Sequence, residues 1–590
     1  MDRATLFPEP ALPDSASLLA EGRAAARDWR LGPSAFLSHV GAASEHAFKL
    51  ARMAEGAVTQ HAQIGYRDPG KSLRAYREIW EACAARGISV SRYGLCLDWS
   101  MALPRAIRAK GLRGTGMILD GPEEFAALAN AAPVAAHFGD FVLGFPAAFE
   151  NTKAALAAGS TAIGNLGQYF TFRVPGHDDD LEATAETVKA LGLIAAQPVP
   201  ILVHSNIDDG FAAQFTDLAS CLGMILIERE VIEGLVGAKA AHCFGHHFSD
   251  PMMRLAFQRA MHLAGAAPGA MIYGNTTAYR GTPAENWAGL AAYLAVDAHG
   301  QRTRPTGHAI NAVPVTENQR IPEIDEVIEA QLFAGALIRH APGLAPLIDE
   351  AAVDALAARI LVGGRRFRDR VMAGLAEMGV DTASVFEMLL ALRRLGARRL
   401  ERDFGAGAED PAAPGGRIAL FPATVLDEIA ELAEAALAGA EPAAVARVRA
   451  AAPRVMVATS DVHEHGKMLI EHMAARIGAH PLEGGVSTDP DRLARLAAAE
   501  RPAAIAISTY NGVALSYYRA LRAALAREGL DLPVLIGGRL NQIPEGSNSS
   551  LPVDVGAELA EAGAIVCREA AELVSALDGL VSAPGAVPAR

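Results

Sequence analysis

The chain has 590 residues, of which 51% are hydrophobic and 20% charged, and its formal net charge is −14. This is the composition of a globular protein with enough apolar residues for a normal core, and the length suits about two to four domains. The negative charge argues against a nucleic-acid partner, because no basic stripe offsets it. The arginine-rich stretch 393–402 is better explained as the solvated face of a helix.

Five cysteines are scattered along the chain and form no CxxC pair: Cys83, Cys96, Cys221, Cys243 and Cys567. This usage predicts a reducing compartment and no disulfide framework. The first residues lack a basic region followed by an apolar run, so we expect no signal peptide. No apolar run reaches the roughly 18 residues that a membrane-spanning helix needs. We therefore predict a soluble, cytoplasmic protein without a membrane partner.

Short apolar strands alternate with helical stretches between residues 61 and 344, after a predicted helical extension over 1–60. Strand–helix alternation over this length predicts a (β/α)8 TIM barrel, which we interpret as the catalytic domain. In such a barrel, polar residues that follow the strands build the active site. Three predicted strands run into polar stretches of this kind: 204–209, 273–280 and 314–320.

Residues 345–450 are predicted to form a helical segment and linker, with a Gly- and Pro-rich loop at 404–416. Over 451–590, strands and helices alternate again in the pattern of a flavodoxin-like (Rossmann-like) doubly wound sheet. Ligands of that fold bind at the carboxyl ends of the strands, near the point where the strand order reverses. The predicted fold class is therefore α/β, with a TIM barrel followed by a C-terminal flavodoxin-like domain.

The first strand of the 451–590 region is followed by the motif D-x-H-x-x-G, formed by Asp461, His463 and Gly466. A histidine on a rigid turn can place one ring nitrogen on a metal when a carboxylate fixes the other nitrogen. Asp461 can supply that carboxylate, and Gly466 lets the backbone approach closely where the helix starts. The alternative is an ordinary capped helix start, which the motif alone does not exclude.

Two further features fall at the same predicted sheet edge, since Ser508 ends another strand and Gly537 and Gly538 end a third. The series of D-x-H-x-x-G, serine and paired glycines resembles the cobalamin-binding domain of corrinoid enzymes. The resemblance implies that His463 is the lower ligand of the cobalt, with Asp461 as its hydrogen-bond partner. It also implies that Ser508 and both glycines line the channel for the cofactor's displaced nucleotide tail.

The region departs from that family at two places. Tyr510 stands where the family has leucine, and the last strand runs into VCREAAE (566–572) instead of a Pro-Gly-Thr turn. Contacts to the nucleotide tail should therefore differ here, whereas the proposed cobalt ligand is retained. The second histidine of the turn, His465, is left without an assigned role.

Segments 143–156, 159–176 and 315–330 are similar, in the same order, to the large subunit of glutamate mutase (methylaspartate mutase). A single fused chain of this size is closer to 2-methyleneglutarate mutase. The resemblance implies a barrel that works with adenosylcobalamin, in which Glu317 contacts the adenosyl group. A helix N-cap acid is the alternative interpretation of Glu317.

Arg67 and Arg105 fall near the arginines with which that family binds substrate carboxylates through a planar bidentate fork. Surface arginines are the alternative. Asn165 stands near the place of a family glutamate and Phe172 at that of a family tyrosine, which argues against glutamate as substrate. Arg173 is new in the same loop and could supply a different anion contact. Three neutral groups are expected to steer the rest of a small carboxylate-bearing substrate: Asn206, Asn275 and Tyr279.

The stretch HCFGHH combines metal-ligand residue types at His242, Cys243, His246 and His247. A zinc ion here would suit a methyltransferase that activates a thiol. No second cysteine cluster follows, and the stretch falls at a predicted strand end. A polar role in the substrate pocket is therefore the favoured interpretation for one of these histidines.

These features together predict an adenosylcobalamin-dependent mutase, an isomerase that rearranges the carbon skeleton of its substrate by radical chemistry. A corrinoid-dependent methyltransferase is the first alternative, because such proteins also join a barrel to a cobalamin domain. A non-catalytic cobalamin-binding sensor is the second. The resemblance further implies a homodimer or a higher homo-oligomer.

Overall fold

The structure is a computed structural model and describes residues 1–582 except for 110, 112–113, 115, 175, 178, 208–214, 246–249, 267, 274–278, 280–281, 318–319, 411–412, 414–415, 462, 511 and 544–551. The chain divides into two compact units. Unit 1 comprises Met1–Gly111, Gly116–Thr171 and Asp179–Thr424. Unit 2 comprises Leu112–Thr115, Phe172–Asp178 and Val425–Arg590.

Unit 1 alternates strands and helices along most of its length. Its strands are β1 (Gln60–Ile64), β2 (Val90–Leu95), β3 (Ala135–His137), β4 (Ala162–Ile163), β5 (Leu202–Asn206), β6 (Lys239–Phe244), β7 (Met271–Ile272) and β8 (Ile310–Asn311). Its helices are α1 (Arg3–Leu6), α2 (Ser15–Ala25), α3 (Ala35–Val40), α4 (Glu45–Glu55), α5 (Pro69–Ala84), α6 (Arg105–Arg108), α7 (Pro122–Ala129), α8 (Ala148–Ala157), α9 (Gln168–Thr171), α10 (Asp180–Ala195), α11 (Leu218–Arg229), α12 (Pro251–Leu263), α13 (Pro283–Thr303), α14 (Ile324–Leu344), α15 (Glu350–Glu377) and α16 (Val385–Phe404).

Acidic and hydroxyl side chains start many of these helices by accepting hydrogen bonds from backbone N–H groups that have no partner in the first turn. Asp68 caps α5, Asp179 caps α10 and Asp250 caps α12 in this way. Thr282 and Glu285 form a reciprocal capping box at the start of α13. Sequence and local geometry therefore agree on where these helices begin.

The strands of unit 1 are parallel and form two sheets, in the orders β3-β2-β1-β8 and β4-β5-β6-β7. An isolated parallel bridge between Phe138 and Ile163 links the end of β3 to β4. Just before β7 and β8, Gly269 donates a backbone hydrogen bond to the carbonyl of Thr306 at 2.8 Å. The predicted α/β class with parallel strands is confirmed for this unit.

Unit 2 contains a five-stranded parallel sheet in the order β10-β9-β11-β12-β15. Its strands are β9 (Arg454–Thr459), β10 (His480–Gly485), β11 (Ala504–Thr509), β12 (Val534–Gly538), β13 (Asn541–Gln542), β14 (Val553–Asp554) and β15 (Ile565–Cys567), with β13 and β14 forming a separate antiparallel pair. Its helices are α17 (Thr424–Leu437), α18 (Pro442–Ala451), α19 (Glu464–Arg476), α20 (Pro490–Glu500), α21 (Ala514–Arg527), α22 (Gly556–Glu561) and α23 (Glu572–Ser582). In sequence order the sheet reads 2-1-3-4-5, which is the flavodoxin-like arrangement.

Both faces of this sheet are buried, which explains the unbroken apolar runs of its central strands. Along β9, Val455 and Val457 pack into one apolar cluster, whereas Met456 and Ala458 pack into another on the opposite face. Successive side chains of a strand point to opposite faces, so β9, β11 and β12 contribute to both clusters. The sheet is therefore fixed from both sides, and its carboxyl edge is a rigid platform.

Residues 345–450 supply α15 and α16 to unit 1 and most of α17 and α18 to unit 2. The predicted domain borders at 60, 344 and 450 stay a prediction. Among the helices that the structure describes, none combines the length and apolar character needed to cross a membrane.

Substituting Gly223 tests the close packing of α11 against α15. A Cβ at this position would lie 2.6 Å from the carbonyl oxygen of Gly364 and 2.5 Å from the ring of Phe367. Since backbone cannot yield as a flexible side chain can, we expect Gly223→Ala to cost about 1–3 kcal/mol of stability. The urea midpoint of unfolding measures this loss.

Gly234 offers a matched control, because a Cβ there would meet nothing within 4 Å. Gly234→Ala should leave the midpoint unchanged or raise it slightly, since alanine reduces the entropy of the unfolded chain. Equal effects of the two substitutions would contradict the packing described for α11.

Candidate functional site

Asp461 and His463 form a hydrogen-bonded pair in the turn between β9 and α19. The His463 ring donates from Nδ1 to Asp461 Oδ1 at 2.5 Å, and the His463 backbone N–H donates to the same oxygen at 3.0 Å. The other carboxylate oxygen accepts from the backbone N–H of Tyr510 at 2.8 Å. Asp461 is 1% exposed, so this carboxylate is held rigidly. Because Nδ1 is engaged by Asp461, Nε2 is the ring nitrogen that coordination of a metal would use.

The turn lies at the point where the strand order of unit 2 reverses. The chain passes from β9 to β10 on one side of it, while β11 pairs with β9 on the other side. The backbone of Ser460 donates to the carbonyl of Ser508 at 3.0 Å, so the ends of β9 and β11 are joined directly. Folds with this order bind their ligands here.

Tyr510 packs its ring on the imidazole of His463. The two ring centroids lie 4.2 Å apart with an interplanar angle of 30°. The guanidinium of Arg539 lies 4.7 Å from the centroid of the Tyr510 ring, within cation–π distance. Tyr510 therefore helps to fix the plane of the His463 ring, a role that the sequence alone did not suggest.

The predicted cofactor-binding glycines meet close neighbours at this sheet edge. A Cβ on Gly466 would lie 2.2 Å from Ser508 Oγ, so a larger residue here would force the Ser508 hydroxyl to move. Gly538 has φ +95°, and a Cβ there would lie 2.4 Å from the carbonyl of Thr509. Gly537 pairs in register with Ser508. The structure thus brings together the residues predicted to surround the cofactor's tail.

A chain of hydrogen bonds extends from the histidine turn to the segment containing Arg173. Thr459 Oγ1 donates to the carbonyl of Asp461 and accepts from the backbone of Ser487 at 2.8 Å. Ser487 Oγ in turn donates to the carbonyl of Arg173 at 3.2 Å. Arg173 was predicted as an anion contact of the barrel, yet its segment, with Phe172, belongs to unit 2. Sequence reasoning missed Thr459, the last residue of β9, and Ser487, which follows the end of β10.

In unit 1, acidic groups follow β3 and β8. Burial raises the pKa of Glu317 to about 7 and that of Asp140 to about 6. Burial, with the nearby Asp140 charge, raises the pKa of Cys96 to about 12, and Cys96 Sγ accepts from Gln63 Nε2 at 3.1 Å. Burial raises the pKa of Tyr273 well above its ordinary value, with Cys96, Glu317 and Asp140 adding to the shift. These side chains therefore share one neighbourhood at the strand ends.

Glu317 was predicted by name and Tyr273 only as part of the polar stretch 273–280, whereas Asp140 and Cys96 were not assigned a role in the site. Each follows a short strand, which is the signal that could have identified them. A carboxyl with a perturbed pKa in such a position is a functional-site candidate.

The remaining predicted substrate residues are more dispersed. Arg67 follows β1 and is partly buried, whereas Arg105 begins α6 and is exposed. Asn206 ends β5, and its backbone donates to Asn165 Oδ1 at 2.7 Å. The buried Tyr279 hydroxyl donates to the carbonyl of Val313 at 2.9 Å. Asn275, which was also predicted to steer the substrate, lies outside the described residues.

His242 is buried at the end of β6 and pairs with a glutamate. Its Nε2 lies 3.1 Å from Glu228 Oε2, which also accepts from Ser205 Oγ at 2.5 Å. His246 and His247 lie outside the described residues. Within the part of the chain that is described, no group of three or more His, Cys, Asp or Glu side chains is placed to hold a metal ion.

The raised pKa of Glu317 predicts a pH-dependent stability. Because this pKa rises from 4.5 to about 7 on folding, the folded state binds more protons than the unfolded state between these values. The ionised carboxylate therefore costs stability as the pH rises through this window. Glu317→Gln, which does not titrate, should gain stability relative to the wild type between about pH 5 and about pH 8, measured as urea midpoints.

Glu285→Gln is the control for this measurement. The backbone N–H of Thr282 donates to Glu285 at 2.6 Å and lowers the pKa of this carboxyl, so Glu285 is ionised throughout the same window. The difference between Glu285→Gln and the wild type should therefore stay constant. A Glu317→Gln difference that is equally constant would contradict the buried environment of Glu317.

No protein-family model matches the sequence, and no curated protein matches it. Among solved structures, the chain is similar to a crystal structure described as a novel cobalamin-binding protein from Desulfitobacterium hafniense DCB-2. The two are 18% identical, the match covers 41% of this chain and 97% of that chain, and the TM-score is 0.18. A TM-score this low carries no argument about fold or ligand, so the assignment of the site rests on the residues of this chain.

Proposed function

We propose that the protein is an adenosylcobalamin-dependent mutase that rearranges the carbon skeleton of a small carboxylate-bearing substrate other than glutamate. Unit 2 binds the cofactor, with His463 as the lower ligand of the cobalt. The observation that carries the proposal is the hydrogen-bonded pair of Asp461 and His463 at the reversal of the strand order. A metal-ligating histidine commonly donates its second ring N–H to a carboxylate, as this one does.

The donor set fits this cofactor. Neutral imidazole is a common metal ligand, and Asp461 fixes the tautomer in which Nδ1 carries the proton. Tyr510 supports the ring plane from one face. Gly466 and Gly538 carry no side chain at positions where backbone and side-chain atoms already approach closely. When bound, adenosylcobalamin supplies hydrogen-atom abstraction through homolysis of its cobalt–carbon bond.

The proposed catalytic domain is unit 1, as a closed (β/α)8 barrel. The bridge from Phe138 to Ile163 and the hydrogen bond from Gly269 to Thr306 support closure at the two junctions between its sheets. A closed wall of strands and helices suits radical chemistry, because it keeps water and side reactions away from the substrate. Polar residues at the strand ends would orient the substrate within it.

Glu317 would contact the adenosyl group, as the family resemblance implies. With a pKa of about 7, its carboxyl can either donate or accept a hydrogen bond near neutral pH. Asn165 holds the backbone of Asn206 with its amide oxygen and offers no carboxylate for an ammonium group. This arrangement supports a substrate that lacks the amino-acid end of glutamate.

Replacing His463 tests the cofactor assignment. His463→Gly should abolish histidine coordination of the cobalt, which is visible as a change in the absorption spectrum of protein reconstituted with adenosylcobalamin. His465→Ala is the matched control from the same turn, and we expect it to keep the wild-type spectrum. Identical spectra for the wild type and His463→Gly would remove the ligand assignment.

The reaction class is tested separately by electron paramagnetic resonance. Holoenzyme mixed with small mono- and dicarboxylates should give cob(II)alamin and an organic radical with at least one of them. Transfer of a methyl group from methylcobalamin, without a radical signal for any substrate, would contradict the mutase and favour the corrinoid methyltransferase. Cofactor binding without either reaction would favour the sensor.

A further inference from the structure

Two buried arginines of unit 1 differ in how their guanidinium groups are satisfied. Arg254 donates from Nε to Asp297 Oδ1 at 2.6 Å and from Nη2 to Asp297 Oδ2 at 2.7 Å, which fills its bidentate fork. Arg92, on β2, is 2% exposed, and its Nη1 contacts His308 Nε2 at 3.1 Å and Met271 Sδ at 3.5 Å. Within the described part of the chain, Arg92 Nε and Nη2 have no hydrogen-bond partner.

These two nitrogens form the edge of the guanidinium that matches both oxygens of one carboxylate. The nearest carboxylate oxygen is Glu45 Oε2, which lies 3.8 Å from Arg92 Nε and is beyond hydrogen-bond distance. That oxygen already accepts from Lys49 Nζ at 2.8 Å. The Nε and Nη2 edge of the Arg92 guanidinium is thus buried and has no hydrogen-bond partner among the described residues.

The charges around Arg92 are unbalanced. Among the described residues, the buried cations Arg92 and Lys49 share one carboxylate as ion-pair partner, that of Glu45, and each of the three side chains is less than 5% exposed. Burial lowers the pKa of both Arg92 and Lys49, because a positive charge is less stable here than in water. A monoanion bound at the Nε and Nη2 edge of Arg92 would offset that cost, since buried charges are stable only when paired.

Two neutral polar side chains share the sheet face of Arg92. His61 pairs in register with Arg92 on one side and with Asn311 on the other, so the three side chains lie on one face of the sheet. Asn311 is fully buried, and both its amide atoms have no hydrogen-bond partner among the described residues. His61 Nδ1 is likewise buried without such a partner there. Burial and the Arg92 charge lower the pKa of His61 to about 3, so its ring is neutral and can donate or accept.

We propose that Arg92, with His61 and Asn311, binds the carboxylate of a small organic acid inside unit 1. The planar fork favours a carboxylate over a spherical halide, and the single excess positive charge favours a monoanion over a phosphate dianion. This inference deepens the proposed function, on which it rests for the identity of the ligand as substrate. It assigns carboxylate recognition to a residue other than Arg67 and Arg105.

Binding of acetate to the cobalamin-free full-length protein tests this proposal. Sodium acetate should raise the thermal unfolding midpoint in a saturable manner, whereas sodium chloride at equal ionic strength should not. Arg92→Lys keeps the charge but loses the fork, so calorimetry should show acetate affinity weakened roughly tenfold or more, the size of a lost hydrogen bond to a charged group. Arg254→Lys is the matched control, which should lose stability but keep the acetate response.

Should Arg92→Lys fail to fold, Asn311→Leu keeps the arginine and removes only the neutral amide. It should also weaken acetate binding. Equal responses of the wild type to acetate and chloride would overturn the proposal and leave Arg92 and Glu45 as a purely structural pair. The proposal would also be overturned if both single variants, Arg92→Lys and Asn311→Leu, bound acetate as tightly as the wild type. Because no cobalamin is present, neither result depends on the cofactor assignment.

Discussion

The hydrogen bond from His463 Nδ1 to Asp461 is the interaction on which the proposed cobalamin site depends. It works because Asp461 is itself immobilised, with one oxygen shared by the ring and backbone of His463 and the other held by the backbone of Tyr510. The carboxylate thereby joins the ends of two neighbouring parallel strands. A buried sheet fixed from both faces supplies the rigidity that a metal-ligating imidazole needs.

Local sequence pattern was sufficient to identify this turn. A strand, a D-x-H-x-x-G turn and a helix lie within a short stretch, so spacing along the chain already determines which side chains meet. Gly466 and Ser508 are distant in sequence, yet both were predicted because each ends or follows a strand of the same parallel sheet. The carboxyl ends of parallel strands share one edge, which makes such contacts predictable.

Other contacts could not be predicted, because they depend on how distant segments pack. Tyr510 was noted only as a departure from a family pattern, whereas its ring lies against His463. Arg173 was assigned to a barrel loop, whereas its segment belongs to unit 2. The Asp140 charge helps to raise the pKa of Cys96 although the two residues follow different strands, and neither stretch carries a recognisable motif.

Two buried arginines of unit 1 differ in whether the guanidinium group has its hydrogen-bond partners. Asp297 fills the fork of Arg254 completely, so this pair needs no ligand to be stable. Arg92 is equally buried, but the matching edge of its guanidinium has no hydrogen-bond partner in the described part of the chain. Maintaining a buried cation in this state costs stability, because a buried charge is stable only when it is paired.

Cobalt coordination can be observed directly by electron paramagnetic resonance of cob(II)alamin bound to protein in which the histidine ring nitrogens are either ¹⁴N or ¹⁵N. If His463 is the lower ligand, the superhyperfine pattern on the cobalt lines should change from triplets with ¹⁴N to doublets with ¹⁵N, and the His463→Gly variant should lose this isotope dependence. If the superhyperfine pattern of the wild-type protein is the same with ¹⁴N and ¹⁵N, no histidine binds the cobalt, and the assignment of His463 as its lower ligand is contradicted.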